Sequence, residues 1–248
     1  MTRLRRRILV VGLAAPVVLA AAFGVWLLSP GEDLSLWREG PPPHPWATWQ
    51  RQEERWREEG SRRQVEHSYV PLVAISVELQ LAVLVGEDID FFGHGPVDLD
   101  AIVEAVETRK PGGRLRGAST ITQQLAKNLF LSGERTFWRK LREARLAWWM
   151  ERRLGKRRIL ELYLNVVEFG PGILGAEAAS RHYFGVRARD LDAGQAAGLA
   201  AAIPSPGRDS PGSASRRWEF RRSTILRRTG RADWLRHHLA ALARAGDR

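Results

Sequence analysis

A long uncharged segment near the N-terminus constrains the architecture more than any other feature of the sequence. Residues Ile8 to Leu28 form a run of 21 positions without a charge, mostly Val, Leu and Ala. At 1.5 Å per helical residue this run covers about 30 Å, the thickness of a bilayer's hydrocarbon core. The preceding tail carries four arginines and no acidic residue: Arg3, Arg5, Arg6 and Arg7. The positive-inside rule therefore predicts a cytoplasmic tail (1–7), a transmembrane helix (8–28) and an extracytoplasmic remainder.

A cleaved signal peptide is the competing interpretation of the same segment, because Leu19–Ala22 offers small residues for cleavage. Either way, the bulk of the chain lies outside the cytoplasm. Without the four arginines of the tail, the chain has 35 basic and 28 acidic residues. An exported basic domain favours anionic headgroups or a lipid-linked phosphate over nucleic acid as a partner. The absence of cysteine excludes disulfide scaffolds, Cys-based zinc sites and thiol catalysis.

The exported part divides into three segments by composition. Residues 29–70 are rich in Pro, Arg and Glu, which predicts a stalk that becomes helical over 47–60. Its four tryptophans suit a membrane interface: Trp37, Trp46, Trp49 and Trp56. A globular domain is predicted over 71–208 and a C-terminal helical extension over 209–248. In that extension Arg217–Arg231 has the composition of a basic surface helix, and we assign it no function.

The predicted domain is mainly α, because no segment shows sustained period-2 alternation. Ser76 is placed to cap an apolar helix running to Val85, and a second, amphipathic helix is expected over Asp98–Arg109. Residues 109–117 have the composition of a basic glycine-rich loop. Thr120 with Gln123 three residues later forms a capping-box pattern. Further helices are expected over 136–154, 156–168, 174–184 and 190–202, with two more within 215–245.

The acidic residues that follow the apolar helix are the first candidates for chemistry. Glu87 comes where the helix leaves the core, crowded by Asp88 and Asp90 and close to Phe91 and Phe92. Partial desolvation and a neighbouring negative charge would raise the pKa of this carboxylate toward the value a general base needs near neutral pH. The alternative from this segment alone is an acidic helix end beside two core phenylalanines.

Two further segments combine polar residues with positive charge. The predicted helix start after Ala118 collects hydroxyl and amide side chains, which suits either a polar or anionic ligand or a capped, solvent-facing helix. In the next helix Lys140 and Glu143 are spaced i, i+3. They form either a solvated intrahelical ion pair or the lining of a pocket for a departing phosphate.

Taken in order, four motifs of this chain resemble the peptidoglycan glycosyltransferases of glycosyltransferase family 51, and in particular the monofunctional transglycosylases. An EDxxFxxH pattern is met by Glu87, Asp88, Phe91 and His94, and a GxSTIxQQ…KN pattern by Gly117 through Asn128. An RKxxE pattern is met by Arg139, Lys140 and Glu143, and a KxxILxxYLN pattern by Lys156 through Asn165. The resemblance covers about residues 70–208.

The resemblance implies a lysozyme-like glycosyltransferase domain with a small membrane-dipping lobe, to which the basic loop and Asn128–Trp138 are assigned. It implies polymerisation of lipid II into β-1,4-linked glycan with release of undecaprenyl diphosphate, by inversion, with Glu87 as general base and Glu143 as the second catalytic residue. Lys140 and Arg139 would stabilise the diphosphate, and Glu143 would orient them or hold a metal or water. The implied substrate-binding residues are Asp88, Phe91, His94, Ser119, Thr120, Gln123, Gln124, Lys127, Asn128, Arg139, Lys140 and Asn165, with Asp88 and Asn165 as bracing residues.

The resemblance also implies partners and location. Lipid II and the nascent glycan are the expected partners, with cell-wall synthesis or division proteins as further candidates and no nucleic acid. The chain is expected in the inner membrane, single-pass, with a periplasmic domain. No required cofactor and no metal-binding residue are expected. A divalent cation (Mg²⁺ or Mn²⁺) is considered only as a stimulator of the reaction. Two alternatives stay open: a lysozyme-like hydrolase or lytic transglycosylase, and a non-catalytic lipid II-binding scaffold. With 40 residues after position 208, we expect no transpeptidase domain.

Overall fold

A computed structural model describes residues 18, 20–29, 31–98, 119–134, 136–213 and 215–245. The chain divides into two compact units, Met1–Leu34 and Ser35–Arg248. In the first unit residues 20–28 are helical. Residues 8–17 and 19 of the predicted transmembrane segment lie outside the described residues, as does the arginine tail. Among the helices of the described part, none has both the length and the apolar character needed to cross a membrane. The predicted helix over Asp98–Arg109 and the basic loop also lie outside it, apart from Asp98.

The second unit is mainly α-helical, as predicted. Its α-helices are α1 (Ala47–Glu58), α2 (Val77–Glu87), α3 (Ile121–Phe130), α4 (Phe137–Val166), α5 (Ala176–Phe184), α6 (Ala193–Ala202), α7 (Arg216–Thr229) and α8 (Asp233–Ala245). Short 3₁₀ turns occupy Leu34–Trp37, Leu72–Ala74 and Ala188–Asp190.

Helix α2 lies at the centre of the core. Seven consecutive residues from Leu79 to Val85 are buried, so the helix is covered on all sides rather than on one stripe. It packs against α6, α7 and α8. The Ser76 hydroxyl accepts a hydrogen bond from the backbone N–H of Leu79 at 3.1 Å, which confirms the predicted cap. The helix ends at Glu87, where the chain leaves the core.

Helices α3 and α4 form the second packed pair of the unit. The capping box of Thr120 and Gln123 is present at the start of α3, as predicted. Helix α4 spans the two helices predicted over 136–154 and 156–168, and Gly155 interrupts its backbone with φ +73°. A positive φ is easily adopted by glycine alone, so Gly155 is the kink between the two predicted helices, which α4 contains as 137–154 and 156–166.

A small three-stranded sheet closes one end of the unit and was not predicted. Its strands are β1 (Glu66–His67), β2 (Glu168–Gly170) and β3 (Ile173–Leu174), in the order β1-β3-β2. β1 pairs parallel to β3, and β2 pairs antiparallel to it. Strands of two and three residues are too short to produce an alternating pattern in the sequence. The sheet joins the segment before α2 to the segment that follows α4.

The segment predicted as a stalk is packed into the domain from residue 35 onward. Trp37, Trp46 and Trp56 are 7%, 2% and 5% exposed, so the interpretation of these three as membrane-interface residues is wrong. Helix α1 packs on α3. The Thr48 hydroxyl donates to the carbonyl oxygen of Asn128 at 3.1 Å. The composition of a stalk and that of an Arg-rich docked helix are alike, which explains the error.

Trp56 is held by a close approach of the backbone at Gly172. A Cβ atom built on Gly172 would lie 2.0 Å from Cη2 of Trp56, and Gly172 has φ +75°. Only a residue without a side chain fits between the indole and the turn that joins β2 to β3. The indole of Trp56 therefore ties α1 to the sheet.

We expect Trp56→Ala to lower the free energy of unfolding by about 3–5 kcal/mol, because it empties a buried aromatic site. The measurement is urea unfolding of the full chain in detergent, followed by circular dichroism. Trp138→Ala is the matched control, since Trp138 is 67% exposed, and it should change stability by less than about 0.5 kcal/mol. Equal stability of the two variants would show that α1 does not belong to the folded domain.

Candidate active site

The Glu87 carboxylate lies at the C-terminal end of α2, with both oxygens hydrogen-bonded. Its side chain is 9% exposed. Nε2 of Gln124 donates to Oε2 at 3.0 Å, and Nη2 of Arg221 donates to Oε1 at 2.6 Å. Burial raises the pKa of Glu87, while Arg221, Gln124 and Lys127 act in the opposite direction. A buried carboxylate with a raised pKa and remaining lone pairs is chemically suited to accept a proton.

Gln124 is itself held in one orientation by Tyr163 of α4. The Tyr163 hydroxyl donates to Oε1 of Gln124 at 2.8 Å, so the amide nitrogen faces Glu87. Tyr163 is fully buried, and burial raises its pKa well above 10, so the phenol remains a donor. In the sequence Tyr163 belongs to an apolar stripe, and its polar role was not predicted.

Asp88 and His94 form a second pair beside the base. Nε2 of His94 lies 2.6 Å from Oδ1 of Asp88, and Oδ2 of Asp88 accepts from the backbone N–H of Ile121 at 2.9 Å. Nδ1 of His94 lies 2.6 Å from the carbonyl oxygen of Gly95. Asp88 thus connects the loop after α2 to the first turn of α3. This geometry supports the bracing role expected for Asp88 and gives His94 the same role.

The residues of the RKxxE pattern form a compact cluster at the start of α4. Glu143 is 3% exposed and accepts hydrogen bonds from Arg139 and from Lys140. Nζ of Lys140 also donates to the Ser119 hydroxyl at 3.0 Å, and Lys140 keeps 43% of its side chain exposed. Nζ and Oε1 of Gln123 are 3.5 Å apart. A buried carboxylate therefore holds two cations, of which Lys140 is the more exposed and Arg139 is 17% exposed.

A polar cavity of about 220 Å³ lies next to Gln124, between α1, α3 and β2. Three cations and one carboxyl line it: Arg51, Arg55, Lys127 and Glu168. Burial lowers the pKa of Lys127, and it raises the pKa of Glu168. Lys127 interacts electrostatically with both Glu87 and Glu143, which places it between the two clusters. Arg51, Arg55 and Glu168 were not predicted, because their segments were assigned to a stalk and to packing.

Several predicted substrate-binding residues lie inside the protein instead. Phe91 and Asn165 have no exposed surface. The amide of Asn165 donates to Val70 and Glu161 carbonyl oxygens at 2.9 and 2.8 Å, which supports its bracing role. Thr120 and Gln123 are 3% and 2% exposed, because their side chains form the capping box. Asn128 is also mostly buried, at 9% exposure.

The structure brings the remaining predicted residues into two groups joined by α3. Glu87 with Gln124 forms one group, and Ser119 with the Arg139–Glu143 cluster forms the other. Lys156, in contrast, donates to Glu151 at 2.7 Å and lies over the ring of Phe91, outside both groups. Among the described residues, no group of three or more His, Asp or Glu side chains is arranged to hold a metal ion. The expectation that no cofactor is required stays a prediction.

Comparisons with known proteins agree with these motifs. The sequence model described as Transglycosylase matches residues 53–230. A biosynthetic peptidoglycan transglycosylase of Methylobacillus flagellatus is 52% identical over 143 residues, covering 57% of this chain and 62% of that protein. Proteins of the same name from Shewanella amazonensis and Bordetella pertussis are 48% and 42% identical. They cover 73% and 81% of this chain, and 70% and 83% of their own lengths.

The chain spans only part of the length of these relatives, about three fifths in the case of the Methylobacillus protein. The family model nevertheless spans well over half of this chain. The chain therefore belongs to the transglycosylase family. The resemblance drawn from the four motifs is confirmed. The match extends to residue 230, so it includes α1 in part and the whole of α7.

The Asp88–His94 pair makes stability depend on pH. Burial alone would lower the pKa of His94, but the hydrogen bonds to Asp88 and to Gly95 outweigh it and raise the pKa above 6.5. A raised folded-state pKa means that the stabilising effect is complete below the unfolded-state value and is lost as pH rises through the folded-state value. We expect the stability difference between the wild type and His94→Gln to be larger at about pH 6 than at about pH 9. Urea unfolding at the two pH values tests this, and a difference that grows with pH would contradict it.

Proposed function

We propose that this protein is a peptidoglycan glycosyltransferase that polymerises lipid II into β-1,4-linked glycan strands and releases undecaprenyl diphosphate. Membership of the transglycosylase family and the names of its relatives support this activity in cell-wall synthesis. The observation that carries the mechanism is the buried Glu87 carboxylate, hydrogen-bonded to Gln124 beside a cavity rich in cations. The donor is the growing lipid-linked chain, and the acceptor is the next lipid II.

Glu87 acts as the general base of this reaction. It takes the proton from the 4-hydroxyl of the acceptor GlcNAc as that oxygen attacks the donor's anomeric carbon. The new C–O bond forms as the bond to the diphosphate breaks, and the configuration changes from α to β. A burial-raised pKa supports this role, because a base must be ionised near neutral pH yet basic enough to take a proton.

The departing diphosphate needs positive charge rather than a second acid. Arg139 and Lys140, paired with Glu143, are positioned to stabilise that charge. Their pairing holds both cations in place before substrate arrives, so little reorganisation is required when charge develops. Glu143 is accordingly a positioning residue for these cations. Lys127 and Gln124 line the donor side of the cavity, with Ser119 holding Lys140.

The membrane is part of this proposal, because both substrates diffuse in the outer leaflet. Residues 8–28 form the proposed single-pass anchor, and the catalytic domain is periplasmic, at the inner membrane. Phe137 and Trp138, 75% and 67% exposed, support contact of the Asn128–Trp138 lobe with lipid. Cell-wall synthesis or division proteins remain proposed protein partners, and stimulation by Mg²⁺ or Mn²⁺ is a proposal of the same kind.

We expect Glu87→Gln to lower the rate of lipid II polymerisation at least about 100-fold, because the amide cannot accept the proton. The measurement is the turnover of labelled lipid II by the full chain in detergent or vesicles. Glu59→Gln is the matched control, since Glu59 is an exposed acidic residue that follows α1 and has no described contact with Glu87. That variant should keep its rate within about 3-fold. Retained polymerisation by a folded Glu87→Gln protein would remove the base assignment.

One observation favours cleavage of finished glycan as a second candidate function. Glu168 is a mostly buried carboxyl with a raised pKa, and it lines the same cavity as Gln124. A glycan hydrolase needs such a protonated acid in addition to a base. Purified sacculi separate the two functions: a hydrolase or lytic transglycosylase releases soluble fragments from them, whereas a polymerase consumes lipid II and releases undecaprenyl diphosphate. A scaffold binds lipid II and releases nothing.

A further inference from the structure

Helix α7 belongs to the C-terminal extension, and it contacts the proposed base although none of the four motifs includes it. One nitrogen of Arg221, Nη2, makes two hydrogen bonds at the end of α2. It donates to Oε1 of Glu87 at 2.6 Å and to the carbonyl oxygen of Gly86 at 2.9 Å. The second bond satisfies a carbonyl near the C-terminal end of α2. The position of the guanidinium is therefore defined by the base and by the helix that carries it.

We infer that Arg221 is a positioning residue for the general base: from α7 it aims the Glu87 carboxylate and keeps it ionised while it is buried. This inference rests on the proposed function, because it assigns a partner to the same base. It gives the C-terminal extension, to which the sequence assigned no function, a part in the reaction.

Helix α7 is docked closely enough to hold such a contact. Nε1 of Trp218 donates to the carbonyl oxygen of Gly198 in α6 at 2.8 Å. A Cβ atom built on Gly86 would lie 3.1 Å from Cδ1 of Ile225, and Ile225 is 3% exposed. The close approach of Ile225 to Gly86 and the hydrogen bond of Trp218 thus set the distance between α7 and the base. Arg221 is presented by a packed helix rather than by a surface loop.

The two members of the ion pair differ in their access to solvent. Glu87 is 9% exposed, whereas Arg221 is 33% exposed. Arg221 also lines a cavity of about 510 Å³, together with Arg217, Trp218 and Arg228. The guanidinium can thus remain hydrated on one side and keep its charge. The carboxylate, in contrast, depends on its neighbours to stay ionised.

Other charged groups near Glu87 do not replace Arg221. Lys127 of α3 interacts with it electrostatically and is partly buried. Tyr163 of α4 and Asp88 add no positive charge, and α6 carries no titratable side chain. Arg236 of α8 donates to a carboxylate in the first turn of α2, at the opposite end of that helix. Arg221 is therefore the cation in direct contact with the base in the described part of the chain.

The test is the pH dependence of kcat/KM for lipid II polymerisation by the full chain. Removal of the contacting positive charge by Arg221→Gln should raise the pKa of Glu87 further above its ordinary value. The acidic limb of the profile should move upward by about 1–3 pH units. On the acidic limb the rate at a fixed pH should fall about 10-fold for each unit of this shift, and it should recover as the pH is raised above the limb.

Two variants separate a role in positioning from a role in folding. Arg221→Lys keeps the charge, so its acidic limb should lie within about one unit of the wild type. Arg227→Gln removes an exposed arginine of the same helix and should leave the profile unchanged. A rate that falls equally at every pH in Arg221→Gln would show a structural role and overturn the inference. An unchanged profile would overturn it as well.

The same experiment distinguishes failure of this inference from failure of the proposed function. If Glu87→Gln polymerises lipid II as fast as the wild type, the base assignment fails and the inference fails with it. If Glu87→Gln is inactive and the acidic limb of Arg221→Gln does not move, the proposed function stands and Arg221 has no part in it. Thermal unfolding of Arg221→Gln and Arg227→Gln checks that both are folded.

Discussion

The site depends on one energetic constraint, the burial of the Glu87 carboxylate at the end of an apolar helix. The residues before it are buried on all sides, and removing a charge from water is expensive unless other groups compensate. Compensation comes from three helices: Gln124 from α3, Tyr163 behind it from α4, and Arg221 from α7. The packing of α2 against its neighbours therefore fixes the chemistry of the site as well as the stability of the core.

Local features of the sequence predicted much of this arrangement. Short-range hydrogen bonds are encoded by residues three positions apart, so Ser76 and the Thr120–Gln123 box were correctly placed as helix starts. The Lys140–Glu143 spacing likewise predicted a contact that α4 makes. The motif resemblance assigned Glu87 and Gln124, 37 positions apart, to one site, and a hydrogen bond joins their side chains.

Contacts between distant elements were not predictable in the same way. Arg51 in α1 and Arg221 in α7 belong to Arg-rich segments whose composition fits a solvated helix equally well. What distinguishes a docked helix is a complementary surface elsewhere, here Gly86 and Gly198, which have no periodic signature. Trp37, Trp46 and Trp56 were misinterpreted for the same reason, since an indole suits both a core and an interface.

The hydrogen bond from Tyr163 to Gln124 determines which end of the Gln124 carboxamide faces Glu87. A phenol that stays protonated offers its hydrogen to Oε1 of Gln124, and in this arrangement the amide nitrogen faces the acid. Both groups hydrogen-bonded to the Glu87 oxygens are therefore donors, and they offset part of the cost of burying the negative charge, although the pKa of Glu87 stays above its ordinary value.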